Sequence, residues 1–169
     1  MSDNNISRRR FIGSAAAIVA VGTAGFVVFG KGGGVAEAAE RFEVTKSAAE
    51  WRRILGPQRY AVLREAHTER AGSSPLDREH RRGTFLCAGC DLPVYASAAK
   101  FDSGTGWPSF TRPLPGAVRT RVDNILFIAR TEVHCRRCGG HLGHVFDDGP
   151  PPTGKRFCMN GLALKFRPA

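Results

Sequence analysis

Apolar and polar positions change rhythm four times along the chain. From Phe11 to Gly30 no charged side chain occurs, and small residues follow, Gly32-Gly33-Gly34 and then Val35-Ala36-Glu37-Ala38-Ala39. Residues 46–66 are patterned for helix. Ser47-Ala48-Ala49-Glu50 fits a capping box, and Trp51, Ile54 and Leu55 fall on one face. Gly56-Pro57 breaks that helix, and a second runs from Gln58 to His67 with Tyr60, Leu63 and Ala66 inward. Residues 68–83 are polar, with four Arg and one His, and read as a solvated surface loop. After Gly83 short apolar runs alternate with Gly, Pro and Asp: Thr84–Leu86, Pro93–Tyr95, Ile125–Ala129, Val145-Phe146 and Leu162–Phe166. Such runs predict strands in a mainly β core. Gly149-Pro150-Pro151-Pro152-Thr153-Gly154 predicts a rigid, extended loop.

The apolar N-terminal run follows Arg8-Arg9-Arg10. A basic start, an apolar middle and an A-x-A-like end read as an export signal, cut after about Ala38. Paired arginines ahead of Phe11 are similar to the twin-arginine signal, whose route carries folded proteins. The run also approaches the ~20 residues that span a bilayer, so an uncleaved anchor is the alternative. Either way residues 1–38 are an address and 39–45 a linker. Residues 46–169 form one domain outside the cytoplasm, periplasmic or extracytoplasmic, that meets a membrane only through an uncleaved signal.

Composition supports a folded domain. Of 169 residues, 42% are hydrophobic and 11 are Phe, which excludes a disordered chain; the 20 Gly and 10 Pro follow no short period, which excludes a collagen-like one. The net charge is +10. Residues 1–38 carry four basic and two acidic side chains, so without them 25 and 15 become 21 and 13, a net of +8. Nucleic acid is therefore a partner to consider.

Five cysteines are the sharper feature. Cys87-Ala88-Gly89-Cys90 and Cys135-Arg136-Arg137-Cys138 are matched C-x-x-C pairs, flanked by Gly89 and Gly139-Gly140, which suit tight turns. Four thiolates suit a structural zinc ion with no open position, while iron in a rubredoxin-like centre takes the same ligands. Two disulfides or a redox pair are the alternatives, and export favours disulfides in general. The pairs are far apart, so a shared metal clamps two distant parts of one domain. Four thiolates on a divalent ion take the charge to about +6. That weakens charge as an argument for nucleic acid.

Cys158 is left over. Read as a strand, Arg156, Cys158 and Asn160 share a face, where a cation and an amide favour the thiolate. An inert buried cysteine is the commoner fate of a lone thiol. Two further patterns stand beside it. Gly139-Gly140-His141-Leu142-Gly143-His144 puts two His directly after the second cysteine pair, and Gly104-Thr105-Gly106-Trp107-Pro108 sets a Trp on a Gly-rich turn, either an apolar platform or a core cap.

The runs Lys100–Phe110, Cys135–Pro150 and Gly154–Phe166, with both cysteine pairs, resemble the methionine sulfoxide reductase B family over residues 44–166. The resemblance implies two antiparallel sheets with short N-terminal helices and a structural four-Cys zinc site at Cys87, Cys90, Cys135 and Cys138. It implies reduction of the R epimer of methionine sulfoxide, in proteins or free, and so repair of oxidised proteins under oxidative stress. Cys158 corresponds to the nucleophile, and Trp107 and Phe110 to the substrate-binding aromatics. His141, His144 and Asn160 would hold the sulfoxide, with Arg156 and Asp148 completing the polar wall. Many relatives carry a resolving cysteine where this chain has Thr105. The sulfenic acid of a monomer is then expected to need an external thiol, from a thioredoxin- or glutaredoxin-like protein or a small molecule. A zinc-ribbon nucleic-acid module and a rubredoxin-like electron carrier are the rival readings. Both leave Cys158, Trp107 and the two His without a task.

Overall fold

The computed structural model describes residues 40–123 and 130–169. The export or anchor segment 1–38 and the expected strand Ile125–Ala129 lie outside the described residues. Among the described residues no helix is long and apolar enough to cross a membrane.

The helical stretch α1 (Ala48–Glu65) opens on the capping box, with Glu50 N–H donating to Ser47 Oγ at 3.2 Å and Ser47 N–H to Glu50 Oε2 at 2.9 Å. Gly56 leaves helical geometry at φ 68°, directly before Pro57, so the break falls where the sequence places it. Trp51, Leu55, Val62 and Leu63 are buried. Two inward positions need correction. Ile54 is 48% exposed, and Ala66 ends the helix as a left-handed cap on the surface.

Strands β1 (Gly83–Cys87), β2 (Pro93–Ala96) and β9 (Leu164–Pro168) form a three-stranded antiparallel sheet in the order β2-β1-β9. A six-stranded antiparallel sheet holds β3 (Lys100–Phe101), β4 (Ser109–Phe110), β5 (Val118–Asp123), β6 (Arg130–Cys135), β7 (His141–Phe146) and β8 (Arg156–Met159), in the order β3-β4-β8-β7-β6-β5. The chain is thus mainly β with two antiparallel sheets, as the resemblance implies. A short 3-10 turn, Gly161–Ala163, delays the last strand by two residues relative to the apolar run.

The sheets share one core. Phe110 stacks on Tyr95 with centroids 4.2 Å apart and meets Phe85 edge-on at 4.9 Å, while the Tyr95 hydroxyl donates to Met159 Sδ at 3.1 Å. Strand β5 escaped the apolar pattern because its sequence, Val-Arg-Thr-Arg-Val-Asp, lies at a sheet edge and buries no side chain. Its arginines blunt an edge that would otherwise invite pairing. The Pro-rich loop is a closed turn rather than extended, with hydrogen bonds Gly149 N–H to Gly154 O and Gly154 N–H to Pro150 O. The predicted linker is also docked. Val44 N–H donates to Arg137 O at 3.0 Å, and Glu40 bonds His134 Nε2 at 3.0 Å.

Candidate active site and metal centre

Strand β8 lies between β4 and β7, and the register is specific. Ser109 pairs with Cys158, Cys158 with His144, His144 with Glu132, and Glu132 with Arg121. Directly paired residues of antiparallel strands point to the same face. A hydroxyl, a thiol, an imidazole, a carboxylate and a guanidinium thus form one row across five strands. Gly143 permits this spacing, because a Cβ there would come within 2.1 Å of the Cys158 carbonyl oxygen. Phe110 and Phe157 form the next pair along and face the core.

The row opens into a pocket of about 160 Å³ lined by Thr68, Trp107, His144, Phe146, Cys158 and Asn160. Trp107 is half-buried, and its indole N–H donates to Glu69 O at 3.1 Å. A larger cleft of about 480 Å³ lies beside Arg59 and Leu162. It offers neither thiol nor imidazole, so the chemistry belongs to the smaller pocket.

Burial pushes the Cys158 thiol up from its usual range, and Arg156, Thr105 and Ser109 pull it back only in part. Alternation along the strand predicts a favoured thiolate; desolvation outweighs the cation. Thr105 Oγ1 lies 4.0 Å from Cys158 Sγ, within a hydroxyl cluster in which Ser103 reaches Thr105 at 2.8 Å and Ser109 at 2.7 Å. Arg156 lies over the Phe146 ring at 4.4 Å and holds Asp148 with two 2.8 Å bonds.

Both imidazoles are held by carboxylates. His144 Nε2 meets Asp123 at 2.9 Å, and Asp123 also meets Arg130 at 2.9 Å. Burial pushes the His144 imidazole down, and the Asp123 contact offsets only part of that, so the ring is neutral at neutral pH. His141 Nδ1 meets Glu132 at 2.8 Å. Burial opposes charge on Glu132, yet hydrogen bonds from His141 and Arg121 hold it ionised, down to about 2. A fixed carboxylate on one ring nitrogen sets which tautomer the other presents. His141 Nε2 is buried with no hydrogen-bond partner among the described residues.

Two predicted substrate contacts are placed differently. Phe110 is fully buried in the core, behind the sheet, and does not line the pocket. Asn160 does line it, but β8 ends at Met159, and the amide is engaged elsewhere. Its Oδ1 accepts from Glu69 N–H at 3.0 Å and its Nδ2 donates to Leu142 O at 3.3 Å. Sequence reading missed Glu69, Asp123, Glu132 and Arg121. Glu69 sits inside a segment that otherwise is a solvated loop, and the other three join the site only through sheet register.

The four remaining cysteines converge. Cys87 ends β1 and Cys90 lies in the turn after it, while Cys135 ends β6 and Cys138 lies in the loop of the β6–β7 hairpin. All four sulfurs lie within 4.8 Å of one another, with Cys87 to Cys138 at 3.7 Å and Cys90 to Cys135 at 3.5 Å. A tetrahedral ion with metal–sulfur bonds of about 2.3 Å spaces its ligands about 3.8 Å apart, whereas a disulfide needs about 2.05 Å. The geometry therefore fits a metal ion, with all four thiols free and the two measured pairs well beyond disulfide length. The turns match, since Asp91 N–H donates to Cys87 O and Gly139 N–H to Cys135 O, both at 2.9 Å. The residue after each pair takes the left-handed conformation, Asp91 at φ 59° and Gly139 at φ 66°. That role falls to Asp91 and not to Gly89, which instead leaves room for the Cys138 sulfur.

Residues 55–168 match the SelR domain. The chain is 54% identical over 130 residues to a peptide methionine sulfoxide reductase MsrB from Bradyrhizobium diazoefficiens, covering 75% of this chain and 91% of that protein. It is 50% identical over 127 residues to the MsrB of Agrobacterium fabrum, covering 75% and 94%. It is 46% identical over 132 residues to a chloroplastic peptide methionine sulfoxide reductase B1 from Arabidopsis thaliana, covering 78% and 65%.

Proposed function

The chain belongs to the methionine sulfoxide reductase B family, the SelR domain family, and on that premise we propose that it reduces the R epimer of methionine sulfoxide in oxidised proteins, with Cys158 as nucleophile. The observation that carries this reading is the direct pairing of Cys158 with His144 on the floor of a pocket walled by Trp107.

The chemistry follows from the protonation states. Cys158 begins as a thiol and His144 as a neutral imidazole. His144 Nε2 is turned to Asp123, so Nδ1 is the nitrogen with a free lone pair. It takes the thiol proton as sulfur attacks sulfoxide sulfur, then returns it to the sulfoxide oxygen. The oxygen passes to Cys158, which becomes a sulfenic acid, and the thioether leaves. Trp107 gives the methyl group an apolar wall, while Arg156 stabilises negative charge at Cys158.

Thr105 stands 4.0 Å from the reacting sulfur, at the position where many relatives carry a resolving thiol, and the other four cysteines form the metal cluster. An external thiol therefore attacks the sulfenic sulfur and releases water. A second thiol then opens the mixed disulfide. A thioredoxin- or glutaredoxin-like protein or a small thiol fills this role. The cluster holds zinc, which supplies no chemistry to the reaction and closes the β6–β7 hairpin that carries both His. Residues 1–38 direct the domain out of the cytoplasm.

Turnover of R- and S-methionine sulfoxide with dithiothreitol tests the reading, comparing the chain with Cys158→Ser. Activity on the R epimer alone, lost in the variant, is expected. Persisting activity in the variant would falsify the mechanism.

A further inference from the structure

Glu69 reaches both halves of the pocket and yet touches neither sulfur nor substrate space through its side chain. Glu69 is only 8% exposed, and its carboxylate takes two adjacent backbone donors, Gly161 N–H on Oε1 and Leu162 N–H on Oε2, the latter at 2.9 Å. These donors begin the turn immediately after Asn160. The backbone N–H of Glu69 donates to Asn160 Oδ1 at 3.0 Å, and its carbonyl accepts from the Trp107 indole at 3.1 Å. Three residues on, Gly72 N–H donates to Gly106 O at 2.7 Å, so the same loop is fastened to the Trp107 indole and to the residue before it. Gly161 is part of the fit, since a Cβ there would lie 1.9 Å from Ser74 Oγ.

We infer that Glu69 is a positioning residue that sets the spacing between the Trp107 ring and Cys158, and with it the preference for a methyl group on the sulfoxide. Two neighbouring N–H groups need two acceptors on one side chain, and a carboxylate supplies both. Gln keeps one acceptor and turns an N–H₂ toward the other donor; Ala keeps none. With the carboxylate anchored, the Glu69 backbone is held against the Cys158 strand end on one side and the indole on the other. When the anchor is loosened, Trp107 loses its reference point while Cys158, fixed by the sheet, stays. The inference rests on the proposed methionine sulfoxide reading.

The test compares the full chain with Glu69→Gln, Trp107→Phe and the double variant, on R-methionine sulfoxide and R-ethionine sulfoxide with dithiothreitol. For E69Q, KM for methionine sulfoxide rises about tenfold, the scale of one charged hydrogen bond, while kcat changes less than about threefold. The methyl-over-ethyl preference narrows in E69Q and in W107F, and the double variant narrows it little further. Bound metal and near-ultraviolet dichroism check that the variants fold. An E69Q that keeps both KM and preference overturns the inference, and so do effects that multiply independently in the double variant. Should E69Q not fold, W107F decides alone, since it removes the indole N–H and leaves the carboxylate anchored. A W107F with unaltered preference then overturns the inference. Absence of turnover of either epimer by the unaltered chain sinks the proposed function instead, which separates the two failures.

Discussion

Cys158 and His144 are direct cross-strand partners, and Gly143, one residue earlier, lets the two strands approach closely enough to hold them so. Thiol and imidazole reach each other through the sheet itself, with no loop between them. Replacing His144 by Gln is expected to lower kcat by about 10²-fold or more, the range of a positioned proton carrier. Stopped-flow measurement of sulfenic acid formation checks this, and an unchanged rate rules His144 out as carrier.

The pair should give a broad bell in pH. The active form holds one proton between Cys158 and His144. Burial lowers His144 below 6.5 and raises Cys158 above 9.0, so activity falls only outside those bounds. Arg156→Met removes a cation that favours the thiolate and moves the alkaline limb upward. Single-turnover rates are the measurement, because they exclude titration of the external thiol. A rate that climbs to an alkaline plateau contradicts the shared proton.

Glu132 links acid stability to the site. Its carboxyl lies at about 2 in the fold against an ordinary 4.5, so its contribution is complete above 4.5 and is lost as pH falls toward 2. Glu132→Gln should therefore lower the melting temperature at pH 7 and narrow the gap between the two proteins below pH 4. Calorimetry across that range tests it. A constant difference at every pH rules out the linkage.

Removing the metal should slacken the hairpin. Mercurial release of the ion, or Cys135→Ser, is expected to lower the melting temperature by at least about 10 °C, roughly 3 kcal/mol for a domain of this size. Activity should fall with it although no ligand lies in the pocket. Elemental analysis of the purified chain decides between zinc and iron. Full activity after complete release shows that the cluster does not support the site.

A methyl group at Gly143 collides with the Cys158 carbonyl oxygen. Gly143→Ala should cost about 1–3 kcal/mol, the usual penalty of overpacking, and should reduce kcat more than that loss explains. Denaturant unfolding and kinetics on the same preparation separate the two effects.

What the sequence discloses depends on how local the interaction is. Both cysteine pairs and the helix cap are legible because two or three residues define each turn. The face of Cys158 is legible as far as β8 extends; Asn160 lines the pocket too, but from beyond the strand end, with its amide bonded to Glu69 and Leu142. Ile54 fits the apolar period but lies beyond the edge of the buried face. Glu132, Asp123 and Arg121 look like ordinary surface charges, since only the register of β5, β6 and β7 brings them to the two His. Glu69 is hidden for the same reason, with partners about 91 residues away in the chain. Phe110 illustrates the reverse error: adjacent in sequence to a site residue, it points to the other side of the sheet.

The row from Ser109 to Arg121 also sets how this protein can fail. Strand register changes only in whole residues, and a single step turns every side chain of a strand to the opposite face. A displaced strand therefore abolishes the constellation and cannot merely weaken it. A molecule with a slipped strand is inert and not merely slowed, so register errors subtract from the number of working molecules and leave the rate of each remaining one unchanged.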